Sequence, residues 1–404
     1  MATDLVIRFP RFLRAMSAAL KVLHSYKVYR PDVDGGIPFA MATLSRPSPA
    51  GTQNEILVAR LLGMAREFEL DGVPVRAVAS LGNLFSTPIA PGYPFTLMDR
   101  VKSNDILVHH APFPIVDVTV PYLPREKPLI VFWHADIVGR ALLKKLLSPS
   151  IVRTLARADK IVVADQSTID GSPFLPAFAD KCAIVPYGID IDYWATCTAE
   201  EQAEAERLQH KHPRMIIATG RLVSYKGFDV LLEALRHIDG HVVFIGEGPL
   251  RENLQKVANE TGIAERVTFA GRVSAGQIKA YLHAAKVFAF PSVTRAEAFG
   301  IVQLEAMAAG LPIVNTSLTT AVPHIARHNQ EALTVKPQDS RGLAEAISRI
   351  LDDAALAQRL SEAGKARARS EYSQEKYVSR MEEVYEDVLR RKPRNSMQDK
   401  TGCP

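Results

Sequence analysis

The stretch Pro291–Gly300 (PSVTRAEAFG) lies where an apolar run, KVFAF, gives way to a helical pattern over Ile301–Ala309. Gly310 and Pro312 end that pattern as helix stops. A loop so placed delivers the backbone N–H groups of Phe299, Gly300 and Ile301 at a helix N-terminus, which suits an anion. Glu297 stands just before it, and Glu305 on the helix leans back toward it, because helical side chains tilt to the N-terminus. Carboxylates accept hydroxyl hydrogen bonds, so the two glutamates suit a sugar and a ribose flanking a diphosphate. A second loop, Gly220-Arg221-Leu222-Val223-Ser224-Tyr225-Lys226-Gly227, follows the apolar run MIIAT. Its Arg221 offers a planar fork and its Lys226 a mobile point charge, a pair that fits a diphosphate or, alternatively, a solvated loop with incidental charges. Gly246-Glu247-Gly248-Pro249 follows VVFI; its glycines allow close backbone approach to a ligand, and a plain tight turn fits equally well. In the first half, Asp34-Gly35-Gly36, His109-His110 and Trp133-His134-Ala135-Asp136 each follow an apolar run. Gly35-Gly36 permits a strained turn with exposed N–H groups, and histidines at strand ends are candidate donors or bases.

The elements that must hold these loops have one rhythm: short β-branched strands alternating with longer helical patterns, which implies parallel sheets with crossover helices. The predicted strands are Lys21–Tyr26, Val75–Ser80, Ile106–His109, Leu129–Trp133, Lys160–Ala164 and Ala183–Pro186, then Met215–Gly220, Val242–Ile245, Val267–Ala270, Val287–Phe290 and Ile313–Asn315. The fold class is α/β, with two Rossmann-like domains. Residues 1–20 form a basic, apolar leader, 21–190 a first domain, 191–213 a polar linker, 214–372 a second domain, 373–391 a C-terminal helix and 392–404 a disordered tail. In such sheets ligands bind beyond the carboxyl ends of the strands, where the loops above lie.

Composition bounds the function further. At 47% hydrophobic and 23% charged residues the chain is globular, and no apolar run has the roughly 18–20 residues of a membrane span. Cys182, Cys197 and Cys403 are too few and scattered for a disulfide framework, pointing to a reducing compartment. A net charge of +5 is too mild and too spread to mark a nucleic-acid binder. The basic excess is densest at Arg140, Lys144, Lys145, Arg153, Arg157 and Lys160, interleaved with leucine, isoleucine and valine. That region reads either as the solvated face of a core helix or as a contact with an anionic membrane. The leader LVIRFPRFLRAMSAAL lacks a clean apolar stretch and cleavage site for a secretory signal; it reads as a surface or membrane-lying extension, or as a start placed upstream of Met16.

Absent motifs also count. The chain has no Walker A loop, no zincin helix and no nucleophile elbow. Asp32-Val-Asp34 and Asp190-Ile-Asp192 match the bare D-x-D of metal-dependent sugar transfer, but one precedes the Gly-Gly turn and the other opens the linker, so both read as chance. Charge on a departing diphosphate would then fall to Arg221, Lys226 and the Gly300 helix end.

Taken together, the GR…KG loop, the GEGP turn and EAFGIVQLEAMAAGLP resemble the retaining nucleotide-sugar glycosyltransferases of family four, which have the GT-B fold. Early DGG, mid-chain HAD and VPYGID extend the likeness over roughly residues 20–390. The resemblance implies that Arg221 and Lys226 hold the diphosphate, helped by backbone at Gly36, Phe299, Gly300 and Ile301. It places Glu297 on the donor sugar, Glu305 on the ribose, Gly35 and Gly246 among the nucleotide-binding turns, Arg272 and Val273 near the base, and His134 beside the reacting centre. It implies transfer with retention, no metal and no cofactor beyond the donor. Asp170–Val185 with the following PYGID resembles bacterial surface-polysaccharide transferases, which implies a mannosyl donor such as GDP-mannose and a lipid-linked saccharide acceptor. The implied location is cytoplasmic, peripheral to the inner membrane face, with no nucleic-acid partner. HAD stands where many relatives have HSD or HG, which leaves the acceptor side open. A UDP-sugar transferase, a phosphorylase or an epimerase on the same fold are the rivals. A pyridoxal phosphorylase would need a suitably placed lysine, and an epimerase a carboxylate pair in the cleft. A periplasmic sugar-binding protein would need a signal peptide, and a nicotinamide oxidoreductase the full GxGxxG fingerprint.

Overall fold

The computed structural model describes residues 19–47, 51–84, 87–136 and 141–391. Its strands are β1 (Lys21–Ser25), β2 (Gln53–Ala59), β3 (Arg66–Leu70), β4 (Val73–Val78), β5 (Asn83–Leu84), β6 (Thr87–Pro88), β7 (Ile106–Ala111), β8 (Leu129–Trp133), β9 (Lys160–Val163) and β10 (Cys182–Ile184) in the first half. The second half has β11 (Met215–Thr219), β12 (His241–Ile245), β13 (Val267–Gly271), β14 (Val287–Phe290), β15 (Ile313–Thr316) and β16 (Ala332–Val335). Two compact units result, one from residues up to Phe132 with Lys145–Ile161 and Tyr385 onward, the other from Trp133–Lys144 and Val162–Val384.

The larger sheet runs β10-β9-β8-β7-β1-β2-β4-β3. Val22, Leu23, Ile56, Leu57 and Val108 have no exposed surface, as expected of strands covered on both faces. β3 runs against its neighbour β4, through a two-residue Asp71-Gly72 turn in which both residues have positive φ (53° and 77°). That is the Asp-Gly signal of a tight hairpin. β2, β3, β5, β6 and β16 were not among the predicted strands. β2 begins with Gln53-Asn54-Glu55, so only its second half looks apolar although it pairs with both β1 and β4.

The second sheet runs β13-β12-β11-β14-β15-β16, with parallel pairing throughout. This order reverses direction between β11 and β14, and a ligand crevice forms at such a switch point. Its core is aliphatic, built from Ile216, Leu231, Leu232, Leu235, Val242, Val287, Val314 and Ile347 among others. Within 191–213 the chain forms two helices, Ile191–Ala195 and Ala199–Lys211, the second closed by a Thr198–Glu201 capping box. The C-terminal helix is Gln374–Arg391, and Lys160 Nζ meets Asp387 Oδ2 at 3.0 Å. The leader up to residue 18, Arg140, Cys403 and the tail beyond Arg391 lie outside the described residues.

Candidate active site

The loops that follow β11 and β14 converge. β11 is buried along its whole length and releases the chain at Gly220. The loop is knitted to the Gly246 turn by Gly220 N–H to Ile245 O (2.9 Å), Leu222 N–H to Glu247 O (3.0 Å) and Leu250 N–H to Leu222 O (3.1 Å). Gly246 is required here: its φ is 135°, and a Cβ would lie 2.1 Å from the Gly220 carbonyl oxygen. Lys226 ends a short 3-10 turn, Ser224–Lys226, and its side chain is buried. Its Nζ reaches Glu297 Oε2 at 2.5 Å, and it sits 5.0 Å from the Phe290 ring centroid at the end of β14. The buried Ser292 hydroxyl donates to the same Glu297 oxygen at 3.2 Å. A lysine and a glutamate assigned separately to diphosphate and sugar thus form one ion pair. Arg221 is exposed and has no ion-pair partner among the described residues.

The Glu297 loop leads into helix Val302–Ala308 through Gly300, whose φ is 86° and whose missing Cβ would strike Phe290 Cζ at 2.6 Å. Among the described residues, the amides of Phe299, Gly300 and Ile301 donate to no protein acceptor. The helix start is fixed from behind by a buried amide pair: Asn315 Nδ2 donates to Gln303 Oε1 (3.0 Å) and to Ala326 O (2.9 Å). Gln303 and Asn315 have no exposed surface, so these bonds are shielded from water. Glu305 follows on the same helix. Burial pushes its carboxyl up to about 7, with no protein hydrogen-bond partner among the described residues to offset the desolvation. Tyr193, on helix Ile191–Ala195, lies within electrostatic reach of Glu305 and has Lys279 Nζ 4.2 Å over its ring. Lys279 in turn pairs with Glu201 at 2.7 Å. Arg272 is exposed and Val273 half-buried, just past β13, whose Gly271 carbonyl accepts from Gly246 N–H at 2.8 Å.

His134 leaves β8 and is almost fully buried. Its Nδ1 lies 2.5 Å from the Tyr187 hydroxyl, with the two ring planes within 16° of each other. Tyr187 also meets Phe299 edge-on, at 4.7 Å between centroids. Sequence reasoning passed over Tyr187; its signal was the aromatic ring in VPYGID beside a glycine. Nearby, Asp136 accepts from the Ser172 hydroxyl at 2.8 Å, and burial raises its carboxyl above the ordinary range. Arg295 Nη2 donates to Gly171 O at 2.6 Å.

Gly35 and Gly36 belong to the first unit and are exposed; Gly35 is extended (φ 168°) and Gly36 opens helix Gly36–Ser45. The strained turn expected there does not occur, since Gly35 is extended and Gly36 helical, neither in the left-handed region. His109 and His110 are not at a strand end, because β7 continues through both to Ala111. Both are wholly buried: His109 faces Asp117 at 3.4 Å, and His110 Nε2 lies 3.0 Å from His24 Nδ1. They are core residues: His110 is bonded to His24, whereas neither ring nitrogen of His109 has a hydrogen-bond partner among the described residues. Asp32 binds Arg60 at 2.7 Å and the Leu61 amide at 3.1 Å, while Asp190 caps helix Ile191–Ala195.

A parallel sheet of Rossmann order, two glycine-shaped loops at its switch point and a second α/β unit are the parts of a GT-B fold. Residues 200–367 match the family Glycosyl transferases group 1, and the chain has the GT-B fold. It is 28% identical over 355 residues to the D-rhamnosyltransferase WbpZ of Pseudomonas aeruginosa, covering 87% of this chain and 91% of that one. It is 26% identical over 383 residues to the O-antigen chain mannosyltransferase C of Escherichia coli, covering 92% and 100%. The structure of Anabaena Alr3699/HepE in complex with UDP shares the fold, with a TM-score of 0.75, 18% identity and coverage of 91% and 100%.

Proposed function

We propose that the protein is a retaining, metal-independent hexosyltransferase that moves mannose from GDP-mannose to a lipid-linked saccharide during surface-polysaccharide synthesis. The observation that carries the reading is the Lys226–Glu297 pair at the sheet's switch point, in a chain similar over nearly its full length to a mannosyl- and a rhamnosyltransferase. On donor binding, Lys226 turns from Glu297 to the diphosphate, joined by Arg221 and the amides of Phe299, Gly300 and Ile301. Glu297 is then released to accept a sugar hydroxyl. Together these groups stabilise charge on the departing diphosphate while the acceptor attacks on the same face. Glu305 accepts from the ribose, Arg272 and Val273 border the base, Gly246 gives the backbone room, and His134 lies beside the sugar. A second reading has a specific support: WbpZ transfers D-rhamnose, the 6-deoxy form of mannose, so the donor hexose lacks or keeps its 6-hydroxyl.

We place the enzyme in the cytoplasm, touching the inner membrane face. Helix Ala141–Arg157 supports this, since Leu146 (75% exposed) and Val152 (43%) emerge beside exposed Lys145 and Arg153. No helix among the described residues is long and apolar enough to cross a membrane. Arg157 is not free for lipid, because it donates to the carbonyls of Pro124, Arg125 and Lys127.

Thermal unfolding with GDP-mannose, GDP-D-rhamnose, UDP-glucose and UDP-N-acetylglucosamine, with and without EDTA, tests the donor. Stabilisation by about 2.7 kcal/mol is expected from a donor at a hundred times its Kd, whatever the EDTA. A shift with the UDP sugars alone refutes the GDP donor, and a shift abolished by EDTA refutes metal independence.

A further inference from the structure

We propose that Tyr187 is the positioning residue of the donor site: its phenol fixes the tautomer of His134, and its ring ties that imidazole to the loop carrying Glu297. The inference rests on the reading that His134 lies beside the donor sugar. Three contacts converge on one buried ring. The hydroxyl is 2.5 Å from His134 Nδ1, with the two ring planes within 16° of each other, and the ring's edge meets Phe299 at 4.7 Å. Tyr377 packs edge-on at 5.9 Å and backs the ring. Tyr187 and Phe299 are each 5% exposed, so neither ring has room to turn away.

A phenol O–H is a stronger donor than a neutral imidazole N–H, and an imidazole nitrogen is the stronger acceptor. The short bond therefore runs from Tyr187 Oη–H to Nδ1, and the proton of neutral His134 resides on Nε2. His134 then acts as a donor through Nε2, the polarity needed to hold a sugar hydroxyl or ring oxygen. Phe299 contributes one of the three amides assigned to the diphosphate. The aromatic contact therefore couples imidazole placement to the phosphate cradle. A mis-set tautomer would present a lone pair instead of a proton at the same position, without altering the shape of the pocket.

The test is a double-mutant cycle of Tyr187→Phe and His134→Ala, run with whichever of GDP-mannose or UDP-glucose the wild type turns over. Long-range 15N spectra of histidine-labelled protein give a second readout. Tyr187→Phe retains the ring contacts and removes only the hydroxyl. It is expected to lower kcat about three- to tenfold, with donor KM changed less, as for the loss of one neutral hydrogen bond. It should also move the His134 nitrogens away from a pure Nε2–H pattern. In the His134→Ala background the same change should have no further effect on kcat. Equal losses in both backgrounds, or His134 nitrogen signals unchanged by Tyr187→Phe, would overturn the proposal. A His134→Ala enzyme with wild-type turnover would instead overturn the placement of His134 at the sugar, a result the spectra distinguish.

Discussion

Removing either member of the Lys226–Glu297 pair should affect stability and catalysis together, and removing both should separate them. Both side chains are only 10% exposed, and Nζ and Oε2 are 2.5 Å apart. Lys226→Met leaves a carboxylate with, among the described residues, only the Ser292 hydroxyl bonded to it, while Glu297→Gln leaves an ammonium near two aromatic rings. Breaking a buried pair from one side costs about 3–5 kcal/mol, whereas replacing both partners is often neutral. At roughly 2–4 °C per kcal/mol for a unit of this size, each single variant should melt about 6–20 °C lower, and the double variant close to wild type. Turnover should behave otherwise. Loss of one preorganised group stabilising developing charge costs about 10²–10³ in rate, so all three variants should be nearly inactive, including the stable one. Scanning calorimetry beside a nucleotide-release assay reads both quantities. A single variant with wild-type melting and turnover would refute the assignment. A double variant that regained activity would show the pair to be structural only.

Burial lowers His24 to about 4 in the folded protein, against 6.5 unfolded, so the unfolded chain binds this proton more readily as pH falls. Its contribution is present above pH 6.5 and is lost on acidification toward 4, about 2 kcal/mol by pH 5; denaturant titrations at pH 7 and 5 should show the loss, and His24→Gln should remove it. Glu305 is raised to about 7, so a carboxylate that accepts from ribose should bind donor more weakly as pH drops below 7, up to about tenfold per unit. Titration calorimetry from pH 6 to 8 should show that slope in wild type and a flat line in Glu305→Gln. Gly246→Ala pushes a Cβ to 2.1 Å from the Gly220 carbonyl, and should weaken donor binding while costing about 1–3 kcal/mol of stability, read by thermal shift with and without nucleotide.

How far these residues were legible in the sequence depends on the range of the interactions that place them. Lys226, Gly246, Glu297 and Gly300 each sit within a few residues of a strand end, and apolar runs bounded by glycine mark strand ends clearly. The loops at the switch point were therefore legible before any topology was known. That Lys226 and Glu297 meet was not, because only the pairing of β11 with β14 brings the two loops together. His109 and His110 failed for a complementary reason. Polarity after an apolar run looks like a strand end, but β7 lies between β8 and β1 and remains covered on both faces to Ala111. Asp117, on the following helix, stands 3.4 Å from His109 and His24, on the adjacent strand, bonds His110, and neither neighbour follows from local pattern. Tyr187 combines both difficulties. Its ring reads as apolar filling beside a glycine turn, and its partners lie 53 residues before it, at His134, and far after it, at Phe299. A side chain whose role is to join two distant loops leaves its trace in three dimensions only, so positioning residues are the part of such a site that sequence reading is least able to find.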